Sequence, residues 1–386
     1  MKIPLLDLKP PLKELRDEIV EAVTRVIDST QYIMGPEIDD LEKEIAEYCG
    51  TDDAVGVSSG TDALLISLMV LDVGPGDIVL TTNFSFFATA GVVSRLNATP
   101  VFVDIQPDTF NIDPEKLKVK LDEMDEEKRN RVKAVIPVHL FGQCANMDEI
   151  LKITENLNIP VIEDCAQAIG AECDIDGEIR CAGNMGDFGC FSFFPSKNLG
   201  GIGDGGIVTV NKSKLAELLR LKRVHGAERS YYHRMIGGNF RLDPIQATVI
   251  RIKLPYLNEW HKQRQKNAQY YNKLFTETGL NEKIKVPLIV HPKNIQNPHI
   301  FNQYVIRTEK RDELQSFLEV QGISSGVYYP IPFHLQECFK FLGGNIGDFP
   351  VSETAAKEVL GLPVYPGITT EMQERVVEQI KIFHLS

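Results

Sequence analysis

Between residues 54 and 163, short apolar runs alternate with stretches of helical periodicity, and this order constrains the fold more than any other feature of the chain. Runs at 54–58, 78–82, 100–104, 132–138 and 160–163 read as buried strands, being apolar almost throughout rather than at every second position. Helices are predicted at 61–71 and from about Ser85. Strands separated by helices build a mostly parallel sheet covered on both faces, whose ligands bind at the carboxyl ends of the strands.

The flanking segments are largely helical. Leu12, Leu15, Ile19, Val23, Val26 and Ile27 recur at helical spacing after Pro10-Pro11, and a second helix runs through Leu41 and Ile45 to Gly50. Residues 244–275 read as helix with a break at Pro255. Beyond them, 301–307 and 325–329 are predicted strands and 311–320 a helix, while Thr370 and Gln373 sit at capping-box spacing for a closing helix over 369–383. Asp176-Gly177 suggests a hairpin turn.

Composition narrows the function. The net charge of −13 argues against a general binder of nucleic acid or anionic membrane, though not against a local basic pocket. The start of the chain lacks the apolar core of a signal peptide, and no apolar run reaches membrane-spanning length, so a cytoplasmic protein is expected. Seven scattered cysteines fit reduced thiols. Cys173, Cys181 and Cys190 lack the paired spacing of a zinc site, and no metal is expected.

Lys197 is the residue that needs explaining. It follows the apolar run at 189–194 and precedes five glycines within 200–206, which let the backbone turn tightly and approach a ligand. An amine held there is partly desolvated; burial favours its neutral form, which attacks carbonyl carbon. Gly201, Gly203 and Gly206 also spell a dinucleotide fingerprint, but that motif opens a helix, whereas Gly206 leads into the strand-like 207–210.

Two further stretches carry weaker signals. Residues 55–63 pass from a buried strand through Ser58-Ser59-Gly60-Thr61 into a helix, which fits either a plain cap or a phosphate cradle. Residues 160–167 end a strand in Glu163-Asp164, with Gln167 just beyond; Asp164 could pair with a heterocyclic nitrogen or merely cap a helix. An anion cradle, a strand-end carboxylate and a desolvated lysine are together what pyridoxal phosphate requires for its phosphate, ring nitrogen and aldehyde. Phe86 is the candidate for stacking on the ring, against the plainer reading of a core phenylalanine.

These residues, with the stretches 31–37, 102–105, 137–143 and 163–167, resemble the pyridoxal-phosphate-dependent nucleotide-sugar aminotransferases of the DegT type nearly end to end. The resemblance implies fold type I, an α/β architecture. Its large domain, 1–250, holds a mostly parallel seven-stranded sheet flanked by helices; the smaller α+β domain is 251–386. It implies that Lys197 bonds the cofactor, Asp164 pairs with the ring nitrogen, Gln167 approaches the ring hydroxyl, Phe86 stacks, and Gly60, Thr61 and Ser192 hold the phosphate. Asn239 would reach the phosphate of a partner subunit, which implies a homodimer with shared sites. Arg241, Tyr328, Tyr329 and His334 would meet substrate.

The same resemblance implies an exchange in which L-glutamate gives its amino group to a keto sugar nucleotide. The loop at 326–336 is most similar to members that aminate C3 of a UDP- or dTDP-hexose; C4 amination is the alternative. Tyr328 departs from the histidine many of those members carry. Related dehydratases have histidine in place of Lys197, which argues against that activity, and a regulator without catalysis would have no need of Lys197 and Asp164.

Overall fold

The computed structural model describes residues 2–291 and 295–385. The central sheet is formed by β1 (Asp53–Val57), β2 (Ile78–Thr82), β3 (Thr99–Val103), β4 (Val132–Ile136), β5 (Ile162–Asp164), β6 (Phe188–Ser192) and β7 (Gly206–Val210). Their spatial order is β1-β7-β6-β5-β4-β2-β3, with β5 joined to β4 by parallel bridges at Val135–Val161 and Val138–Asp164. Only β7 runs against the rest, pairing antiparallel with β1 and β6, while β6–β5, β4–β2 and β2–β3 are parallel.

That arithmetic decides where the site lies. Because β1, β5 and β6 share one direction, the residues that follow Val57, Asp164 and Ser192 all emerge at the same edge of the sheet, where ligands of parallel sheets bind. Gly206 opens a strand there rather than a helix, which removes the dinucleotide reading.

Both faces of the sheet are covered. One carries Pro36–Cys49 and Pro244–Lys253, whose Ile38, Leu41, Ile45, Ala247 and Ile250 pack with Leu80, Val135 and Ile207. On the other, Gly60–Val70 is apolar on nearly every side because it lies between the sheet and Ser213–Arg223. An internal ion pair ties these layers. Arg223, 4% exposed, pairs with Glu42, 5% exposed, and Glu42 also accepts the Gly56 N–H at 2.7 Å, fixing the end of β1.

The carboxy-terminal unit has its own core, in which Tyr271, Phe275, Tyr304, Leu314, Leu360 and Val377 meet. β8 (Tyr304–Arg307) and β9 (Val359–Leu362) pair antiparallel, flanked by Leu257–Glu277, Arg311–Val320 and Thr370–Leu385. Ile3, from the opposite end of the chain, joins this core and bridges to Ile323. No helix among the described residues is long and apolar enough to cross a membrane.

Several expectations need adjustment. Residues 325–329 form no strand; only Gly326 bridges to Gly361, after which the Tyr328 ring lies across Gly361 and Pro330 offers no N–H. The helix expected from about Ser85 begins at Ala88. The closing helix is capped by Thr369 Oγ1, which accepts the Met372 N–H, while Gln373 reaches Asn267 instead of closing a capping box. The Asp176-Gly177 turn is present between Glu172–Ile175 and Glu178–Cys181, with φ of 51° and 87°.

Candidate active site

β1 delivers the chain to the start of Gly60–Val70. Ser59 is a true cap, its Oγ accepting the Asp62 N–H at 3.1 Å, and the Asp62 carboxylate accepts the hydroxyls of Ser58 and Ser59. The N–H groups of Gly60 and Thr61 nevertheless find no acceptor among the described residues. A β-carbon on Gly60 would fall 2.6 Å from that of Ser192, and one on Gly206 would fall 2.5 Å from the Ser59 carbonyl. These two glycines therefore let the end of β6 press against the helix start and bring the Ser192 hydroxyl beside the free N–H groups. Two unpaired donors, the positive end of a helix and the hydroxyls of Thr61 and Ser192 suit a phosphate.

Lys197 stands beyond β6 in a tight turn closed by Lys197 N–H to Phe194 O at 2.9 Å and Gly201 N–H to Phe193 O at 2.8 Å. The half-buried side chain has its pKa pushed down to about 8, chiefly by desolvation, with the charge of Asp164 opposing the fall. Asp164, 5% exposed, ends β5 with both oxygens engaged: Thr89 Oγ1 donates to Oδ2 at 2.8 Å and Ala166 N–H to Oδ1 at 3.2 Å. Burial raises its pKa, and these bonds and then the charge of Lys197 counter the rise. A protonated ring nitrogen placed here would supply the cation this buried carboxylate lacks.

Gln167 is 7% exposed and committed at both ends, accepting the Phe141 N–H at 2.7 Å and donating to Tyr329 Oη at 3.0 Å. Phe86 is 58% exposed, its ring centroid 6.4 Å from that of Tyr329. A phenylalanine this open, on the wall of a polar crevice, is suited to lie under a flat ligand. Lys197, Asp164, Gln167 and the Gly60–Thr61 cradle thus meet at one edge of the sheet with chemistry that fits pyridoxal phosphate.

Comparison with known proteins agrees. The model of the DegT/DnrJ/EryC1/StrS aminotransferase family matches residues 13–381. The chain belongs to this family. It is 45% identical over 385 residues to a pleiotropic regulatory protein of Geobacillus stearothermophilus, covering 100% of this chain and 99% of that one. It is 38% identical over 380 residues to UDP-N-acetyl-3-dehydro-alpha-D-glucosamine 3-aminotransferase of Acidithiobacillus ferrooxidans, covering 98% and 97%. Among solved structures it resembles S. venezuelae DesV in complex with a ketimine intermediate, at TM-score 0.90 and 36% identity over 99% and 98% of the two chains. It also resembles NtdA of Bacillus subtilis with bound cofactor PMP, at TM-score 0.86 and 28% identity over 100% and 85%. The fold is type I.

The remaining expected residues of this aminotransferase fall in different places. Asn239 is exposed, on a segment that bridges to Val224 and makes no side-chain hydrogen bond among the described residues. Arg241 pairs through its backbone with Val57, and Ser58 N–H donates to Phe240 O at 2.9 Å, so this segment runs beside the cradle of its own chain. Tyr328 packs on Gly361, and burial raises its phenol.

His334 does not face the crevice as expected. Its Nδ1 accepts from Asn83 Nδ2 at 2.8 Å, its Nε2 meets Glu353 Oε1 at 3.1 Å, and the residue is 3% exposed, so it clasps two parts of the fold and has no ring nitrogen left for substrate.

Other residues escaped the sequence reading. Thr89 lies one turn beyond Phe86, a spacing that could have marked it. Glu163 accepts the N–H groups of Gly183, Met185 and Gly186 and meets His139 Nε2 at 2.9 Å. Glu163 and His139 lie with Cys165 in one buried cluster of ligand-type atoms, yet both carboxylate oxygens are already filled, so Glu163 braces the Gly183–Gly186 bend.

Proposed function

We propose that this aminotransferase moves an amino group from L-glutamate to C3 of a 3-keto UDP- or dTDP-hexose, with Lys197, Asp164, Gln167, Phe86, Gly60, Thr61 and Ser192 as its cofactor residues. The observation that carries the reading is the convergence of Lys197, Asp164 and the unpaired N–H groups of Gly60 and Thr61 at one edge of the sheet. The name of the Acidithiobacillus relative, a 3-aminotransferase, supports C3 over C4.

Pyridoxal phosphate, when bound, supplies a carbon that takes and gives the amino group and a ring that withdraws electrons. The chain does the rest. Gly60 and Thr61 N–H groups, with the Thr61 and Ser192 hydroxyls, hold the phosphate. Asp164 keeps a proton on the ring nitrogen, its own oxygens aligned by Thr89 and Ala166. Lys197 Nζ, with its pKa lowered to about 8, is neutral in about a tenth of molecules at pH 7 and in half at pH 8, and in that form can take a proton from the α-carbon of the donor and return it elsewhere. Phe86 lies under the cofactor ring. Asn239, unused by its own crevice, serves the phosphate of a partner subunit in a homodimer, and Arg241 and Tyr328 face the sugar nucleotide.

The test is to supply glutamate with a panel of 3-keto and 4-keto uridine and thymidine sugar nucleotides and to identify the aminated carbon by NMR. Product aminated at C4 alone defeats the regiochemistry. A second reading, a regulator, is favoured by the name of the G. stearothermophilus relative. It requires that no amino donor alter the absorbance of the bound cofactor.

A further inference from the structure

Gln167 and Tyr329 reach each other across the crevice, the first from just beyond β5 and the second from the loop that precedes Pro330. The Phe141 N–H can only donate, so its 2.7 Å contact fixes which end of the Gln167 amide is oxygen and turns the NH2 toward Tyr329. Nε2 then donates to Tyr329 Oη at 3.0 Å. Two hydrogens remain, the second on Nε2 and the phenolic one, and neither finds an acceptor among the described residues. Donors this close together are arranged to share one oxygen.

The surroundings hold the phenol in place. Phe84 packs edge-on against the Tyr329 ring at 5.9 Å between centroids, and Phe86 lies 6.4 Å away on the crevice wall. Burial, with the charge of Asp164, pushes the phenol up, so the hydroxyl keeps its hydrogen.

We propose that Tyr329 and Gln167 form a two-donor clamp on the ring hydroxyl oxygen of the cofactor, which makes Tyr329 a cofactor-binding residue rather than a sugar contact. The inference rests on the reading of Gln167 and Asp164 as cofactor residues. Two donors favour the anionic form of that oxygen.

The test uses the apoprotein with pyridoxine 5′-phosphate, which carries the ring hydroxyl but cannot bond a lysine, and with its 3-deoxy analogue, which lacks that hydroxyl. Tyr329→Phe is expected to weaken pyridoxine phosphate by about tenfold or more, the loss of one charge-assisted hydrogen bond, and to leave binding of the deoxy analogue at the wild-type value. Tyr329→Phe with Gln167→Ala should lose less than the sum of the single changes. Equal losses on both analogues would show a packing role and overturn the clamp. No loss on either, with a raised KM for sugar nucleotide, would return Tyr329 to the substrate. If the wild-type apoprotein binds neither analogue, the cofactor assignment itself fails, an outcome distinct from the other two.

Discussion

Ser192 stands so near Gly60 that a methyl group on the glycine would come within 2.6 Å of the serine Cβ. Strand end and helix start are thus held at a separation that only a missing side chain permits. Gly60→Ala should push Ser192 away from the free N–H groups and weaken pyridoxal phosphate by about tenfold or more while the protein stays folded. Equilibrium dialysis beside a thermal melt checks both halves of that statement.

The Lys197 amine carries a proton below its pKa of about 8 and is neutral above it. The rate at which apoprotein captures pyridoxal phosphate should fall about tenfold per pH unit below that value and level off above it. The negative charge of Asp164 raises this pKa, so Asp164→Asn should move the limb to lower pH. Stopped-flow absorbance over a pH series gives both curves; an unmoved limb in the variant would separate the two residues.

His334 is joined to Asn83 and Glu353 rather than to a ligand. Replacing it by alanine leaves buried polar groups unpaired and should cost about 2–3 kcal/mol. Urea denaturation should register that loss, whereas KM for the sugar nucleotide should stay within about threefold once folded protein is assayed.

If Asn239 serves a partner, mixing Lys197→Ala with Asn239→Ala subunits creates hybrids that hold one complete site. Random exchange of two inactive homodimers should then restore roughly a quarter of wild-type activity. Mixtures that stay silent after verified exchange would place Asn239 in its own crevice.

How much of this was visible in the residue order depends on the range of the interaction. The strands at 78–82 and 206–210 show as local apolar runs, and Lys197, Asp164 and Gly60 stand out because strand ends and glycines mark them locally. Sheet order does not show: nothing near Gly206 announces that β7 runs antiparallel between β1 and β6. His334 was misplaced for the same reason, since its partners Asn83 and Glu353 are distant in the chain and meet only in the fold. The missed cap at Thr369 is a one-residue ambiguity between adjacent threonines, which composition cannot resolve.

Glu163 and Asp164 are consecutive, and a strand sends consecutive side chains to opposite faces. One acid is turned toward masonry and its neighbour toward chemistry, although the two differ by a single methylene. Drift at position 163 would therefore let the Gly183–Gly186 bend sag without altering any of the residues assigned to the cofactor. A slip of β5 by one step would exchange their assignments and leave neither task done.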